Sequence, residues 1–145
     1  MKLSHEELEV LSIIEENNRL STKDISMMTE LEEDKVKEII EKLEKENIIV
    51  SYHTLIDWNK VEGKEQIVAV IDVKVTPKRG VGFDEVAERI YRYPEVRSLY
   101  LMSGAYDLSV EVVGKTMTEI ASFVSEKLAT IDNVISTTTH FMLKR

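Results

Sequence analysis

Residues 96–114 read VRSLYLMSGAYDLSVEVVG. Val96 to Met102 has the apolar and β-branched content of a strand, and Ser103-Gly104-Ala105 is a turn. Tyr106 to Val113 returns as a second strand, with Leu108, Val110 and Val112 on one side. Upstream, Ile67, Ala69, Ile71, Val73 and Val75 alternate, with Val68 and Val70 between them. That pattern predicts a strand with at least one buried face. Phe83, Val86, Ala87, Ile90 and Tyr91 keep helical spacing until Pro94 ends the helix. Downstream, Thr116 and Glu119 have the spacing of a capping box, and Met117, Ile120, Ala121, Val124 and Leu128 make the stripe behind it. Val134 to Leu143 reads as a last strand.

The order is β-α-β-β-α-β. Two βαβ units joined by a hairpin predict an α+β, ferredoxin-like sandwich over residues 61–145. Two helices would cover one face of a four-stranded antiparallel sheet. Tyr100, Met102, Phe141 and Leu143 suggest an open face too apolar to stay wet, and so self-association through it.

The first half has a different period. Ser4 with Glu7, and Ser21 with Asp24, are capping-box starts for two helices, the second of them short. Val36, Ile39, Ile40 and Leu43 are spaced i, i+3, i+4, i+7, the clearest helical face in this half. Ile48 to Ile56 is rich in β-branched residues and predicts a small β-ribbon. Helix, short helix, longer helix and ribbon is the order of a winged helix-turn-helix, placed here at residues 1–60. A generic three-helix bundle is the competing reading. The polar stretch from Asn59 to Gln66, with Gly63, marks the boundary.

Composition narrows the function classes. The chain has 145 residues, 43% of them hydrophobic, which is enough for packed cores. It has no cysteine, so disulfides, thiolate metal sites and thiol nucleophiles are excluded. No two of His5, His53 and His140 share a metal-ligand spacing, and no cofactor motif is present. The opening MKLSHEELEV lacks the regions of a signal peptide, and no apolar run reaches a membrane span. A cytoplasmic, non-enzymatic protein is expected. The net charge is −8, all of it in residues 1–62, where 8 Lys and Arg face 16 Asp and Glu. That is an unusual charge for the half expected to meet nucleic acid.

The layout resembles the Lrp/AsnC (feast/famine) transcription regulators over essentially the whole chain. In the first half the resemblance rests on Leu20-Ser21 with Ile25, on Leu31, and on Lys42-Leu43-Glu44-Lys45-Glu46-Asn47-Ile48-Ile49. In the second it rests on Gly104-Ala105-Tyr106-Asp107 and on Thr137-Thr138-Thr139. The resemblance implies duplex DNA bound through the third helix and a homodimer formed through the sheet. It also implies assembly into larger rings such as octamers, and a small effector, commonly an amino acid, near the Gly-x-Tyr-Asp turn.

On that reading the DNA-facing residues are Lys23, Glu33, Asp34, Lys35, Lys37, Glu38 and Lys42. The effector residues are Gly104, Ala105, Tyr106, Asp107, Thr137 and Thr139. The family usually has Ser, Thr and Arg at the start of its third helix, where this chain has Glu32-Glu33-Asp34-Lys35. Carboxylates there repel phosphate, although Glu can accept a hydrogen bond from cytosine N4. Weak DNA binding per domain is therefore expected, with oligomer avidity making up the difference. The alternative is an effector- or partner-binding module that no longer binds DNA. Each candidate also has a plain structural role. Gly104 suits a turn, Asp107 can bond turn backbone, threonines favour strands, and Trp58 reads as an interdomain or dimer anchor. Sirohaem decarboxylases share the architecture, but their His and Arg pair is absent from Arg97-Ser98-Leu99-Tyr100-Leu101.

Overall fold

The structure is a computed structural model and describes residues 1–63, 66–76 and 82–144. The chain divides into two compact units, Met1–Leu55 and Ile56–Arg145. The 3₁₀ turn Trp58–Lys60 belongs with the sheet, where Trp58 shares a small hollow with Val68 and Met142.

The first unit is three helices: α1 (His5–Glu16), α2 (Thr22–Thr29) and α3 (Glu33–Lys45). Both capping boxes form. Ser4 accepts from the Glu7 amide and Ser21 from the Asp24 amide, while each carboxylate reaches back to its cap. These bonds satisfy amide donors that a helix start leaves without partners. Six residues make the core: Val10, Ile14, Ile25, Val36, Ile39 and Leu43. The α2–α3 turn passes through Glu30 at φ 62°, a left-handed conformation that costs a non-glycine residue. Thr29 Oγ1 donates to the Ile25 carbonyl and Ser26 Oγ to that of Leu31, closing this turn.

The expected β-ribbon is not formed. Residues 48–57 are in no strand, and α3 ends instead in a Schellman closure. Asn47 adopts φ 56°, its amide donates to the Glu44 carbonyl, and the Ile48 and Ile49 amides both donate to Leu43. Ile48 and Ile49 pack on the helical core, while Val50 and Leu55 are more than three-quarters exposed. β-branched residues signal a taste for the pleat, not the presence of a neighbour to pair with.

The second unit contains β1 (Ile67–Val75), α4 (Phe83–Tyr91), β2 (Val96–Leu101), β3 (Leu108–Gly114), α5 (Met117–Phe123) and β4 (Val134–Phe141). The sheet order is β2-β3-β1-β4, with antiparallel pairing throughout. Ala69, Ile71 and Val73 pair with Val112, Val110 and Leu108, and all six side chains are buried in one core with Val86 and Ile90 of α4 and Ile120 and Phe123 of α5.

Two expectations about faces are corrected here. Phe141 pairs with Ala69 and packs on that core, so it does not belong to the open face. On the second helix, Met117 and Ala121 lie outward and Phe123 is buried in their place. The reason is a π-helical turn, Val124–Leu128, in which the Ala129 amide donates to the Val124 carbonyl. The extra residue shifts the phase of the stripe, a change that a 3.6-residue count cannot foresee.

Candidate functional site

On α3, Val36, Ile39 and Leu43 point into the first unit. Helical geometry puts Asp34, Glu38, Glu41 and Lys45 in the row opposite them, and all four are exposed. The outward ridge thus carries three carboxylates and one ammonium. The flanking lysines are partly committed. Lys42 donates its ammonium to Glu7 of α1 at 2.7 Å, which makes it a pin between helices. With the amide of Ser4, that contact lowers the Glu7 carboxyl from its ordinary 4.5 to about 2. Lys37 lies 3.8 Å from Glu33, which also accepts from the Thr22 hydroxyl. Lys23 and Lys35 are exposed, with no ion pair among the described residues. Of the candidate DNA residues, Asp34 and Glu38 are on this ridge, Glu33, Lys35, Lys37 and Lys42 flank it on α3 with the Lys42 ammonium turned to the protein, and Lys23 stands on α2.

At the β2–β3 turn, the Met102 amide donates to the Asp107 carbonyl at 2.8 Å and closes a loop over residues 103–106. Gly104 has φ 155°, a conformation that side-chain-bearing residues rarely take. Asp107 ties the turn to β1. Its amide donates to the Val73 carbonyl, and its Oδ2 accepts from the Val75 amide at 2.8 Å. Tyr106 Oη lies 2.6 Å from Thr138 Oγ1 of β4.

Strand parity separates the threonines. Thr137 and Thr139 pair with Val73 and Ile71, whose side chains are on the helix-covered face, whereas Thr138 pairs with Asp72 on the open face. Tyr106 thus meets the threonine that sequence reading left out. Alternation alone exposes the parity, but only a partner across the sheet picks the side. The open face also carries Ser98 bonded to Glu111 at 3.0 Å and His140 to Asp72 at 2.9 Å.

A third feature lies at the other end of β3. Trp58, Gln66, Val113, Gly114, Lys115 and Glu119 line a hollow of about 790 Å3 within the second unit. Trp58, expected as an anchor between domains or chains, is one of its walls. Among the described residues no helix is long and apolar enough to cross a membrane.

A helix-turn-helix unit followed by a four-stranded α+β unit defines a DNA-binding regulator that carries its own ligand-binding module. The comparisons with known proteins give the family. The model of the Lrp/AsnC ligand binding domain matches residues 68–145, and that of a winged helix-turn-helix DNA-binding domain matches residues 7–50. The chain is 59% identical over its full length to the HTH-type transcriptional regulator YugG of Bacillus subtilis, covering 87% of that protein. It is 32% identical, over 92% of its length and 81% of the relative's, to the HTH-type regulator PH0140 of Pyrococcus horikoshii. Among solved structures, MtbAldR superposes with a TM-score of 0.82 at 20% identity, over 99% of this chain and 95% of that one. A Neisseria meningitidis transcriptional regulator in complex with L-methionine gives 0.68 at 22%, over 99% and 91%. The chain belongs to the Lrp/AsnC family of transcriptional regulators.

Proposed function

We propose that this regulator is a cytoplasmic, non-enzymatic homodimer, assembled further into rings such as octamers. It binds promoter DNA weakly per domain and answers to an amino-acid effector. The observation that carries the reading is the acidic outward ridge of α3, with the Lys42 ammonium held by Glu7. Lys23 and Lys35 are left to meet phosphates, together with Lys37 where it is released from Glu33. Glu33, Asp34 and Glu38 either read cytosine or keep wrong sequences off. Avidity across several such units then supplies affinity that one unit lacks. The open sheet face, with Tyr100 exposed upon it, is the dimer surface.

The effector site is the exposed turn at Gly104 and Ala105, backed by Tyr106 and by the carboxylate of Asp107. Thr138, whose hydroxyl meets Tyr106, lies on the open side, and Thr137 and Thr139, on the helix-covered side, are kept as candidate effector residues. The L-methionine complex of the Neisseria relative supports an amino-acid class.

Fluorescence anisotropy against duplex DNA from the protein's own upstream region tests the whole reading. Preferential binding over a scrambled duplex, weakening steeply with salt, is expected for the full chain and not for residues 1–55 expressed alone. Absence of binding at low salt, with or without added amino acids, overturns DNA binding. It would leave the acidic ridge as a surface for a basic protein partner.

A further inference from the structure

The hollow at the far end of β3 is separate from the effector turn. Seven strand steps separate Asp107 from Gly114, about 24 Å at the usual strand rise. One wall is the indole of Trp58, which with Gln66 also borders a much smaller hollow against Val68 and Met142. Gly114 lets the end of the strand lie close to α5. A Cβ there would come 2.9 Å from Ile120 Cγ1 and 3.7 Å from the Glu119 carboxyl carbon. That close approach brings the Lys115 amide to Glu119 Oε2 at 3.2 Å and fixes the carboxylate at the rim. The Glu119 amide, in turn, donates to Thr116 Oγ1.

The charges are the informative part. Lys115 and Glu119 line the same hollow, are both exposed, and make no ion pair with each other or with any other described residue. An ammonium and a carboxylate facing one space, unpaired, suit a ligand that bears both charges. The aromatic wall suits an apolar side group, and the Gln66 amide adds a donor and an acceptor.

We propose that this hollow is a second small-molecule site, and that it takes a small zwitterion with an apolar side group, of the α-amino acid type. The ligand's carboxylate meets Lys115, its ammonium meets Glu119, and its side group lies on Trp58. Occupancy here is independent of the turn at Gly104–Asp107.

Trp58 is the single tryptophan of the chain, so its fluorescence reports this place alone. Full-length protein is titrated with each of the L-α-amino acids except tryptophan, to about 20 mM, the weak end of specific binding. A saturable change is expected with at least one apolar member. Its amide and its deaminated carboxylic acid, each with one charge removed, should bind at least about 10-fold more weakly. Lys115→Gln and Glu119→Gln should each weaken binding by a similar factor, while Tyr106→Phe at the turn leaves it unchanged. Glu119→Gln keeps an oxygen for the Lys115 amide, and Lys115→Gln changes an exposed side chain, so circular dichroism should match the parent. If one variant misfolds, the other and the two analogues decide. No saturable change with any amino acid overturns the proposal, as does binding that both Gln variants retain. A response abolished by Tyr106→Phe also overturns it, because it places the ligand at the turn.

Discussion

The two units solve the problem of stability by different means. Among the described residues, the first has six buried apolar residues in its core, and the second has thirteen. The helical unit therefore leans on local devices, two capping boxes and a Schellman closure, and on one pin between helices, the Glu7–Lys42 contact. The sheet unit leans on pairing between residues far apart in sequence, such as Ile71 with Val110 and Thr139. Small units bury a smaller fraction of their surface, so each local device weighs more in the first.

The largest test of this difference is a matched pair of core truncations. Leu43→Ala and Ile71→Ala each remove a side chain with no exposed surface. Each should cost about 2–5 kcal/mol. The consequences differ. In the first unit that is a large share of a small unit's stability, so Leu43→Ala should melt the helices at physiological temperature and abolish DNA binding while the proposed dimer persists. Ile71→Ala should lower the melting of the sheet and weaken the proposed dimer. Differential scanning calorimetry with sedimentation velocity separates the two. A single transition shifted equally by both changes would show that the units do not differ in this way.

The legibility of the sequence divides along the same line. Helix starts at Ser4, Ser21 and Thr116 are written in residues three apart, so they could be read directly. The six elements of the sheet unit followed from period and turn residues. What could not be read depends on partners or on phase. The stretch after Asn47 has ribbon composition but no strand beside it. Phe141 and Thr138 needed a register to be assigned a face, and the π-helical turn hid Phe123 from a helical count. At the site level, the turn at Gly104–Asp107 was visible as a motif. The tie from Asp107 to the Val75 amide and the hollow at Trp58 were not, because residues dozens of positions apart build them.

A smaller test concerns the contact between α1 and α3. Lys42 and the Ser4 amide hold the Glu7 carboxyl near 2, below its ordinary 4.5. A folded-state value below the unfolded one means that the contact favours the fold above pH 4.5. Its contribution is lost as pH falls through about 2. Replacing Lys42 with Met should return the Glu7 titration toward 4.5, seen by carboxyl NMR, and flatten the acid dependence of helix melting over that interval. The sheet unit's melting should not respond. An unchanged Glu7 titration in that variant would mean that the helix start alone sets its acidity, and the pin between helices would drop out of the comparison.

The smallest expected effect has the opposite sign. Glu30 takes φ 62° at the α2–α3 turn, where its Cβ crowds the following carbonyl. Glycine relieves that contact but gives the unfolded chain more freedom, so the two terms oppose each other. The left-handed cost, about 1–2 kcal/mol, exceeds the glycine penalty of about 0.5–1 kcal/mol. Glu30→Gly should therefore stabilise the helical unit by about 0.5–1 kcal/mol and remove one negative charge beside the candidate DNA ridge. Chemical denaturation read by far-UV circular dichroism measures the first effect, and the anisotropy titration the second. If the glycine destabilises instead, the Glu30 side chain must be holding the turn through contacts of its own. The first unit would then rely on local pins even at the position where backbone geometry argues against a side chain.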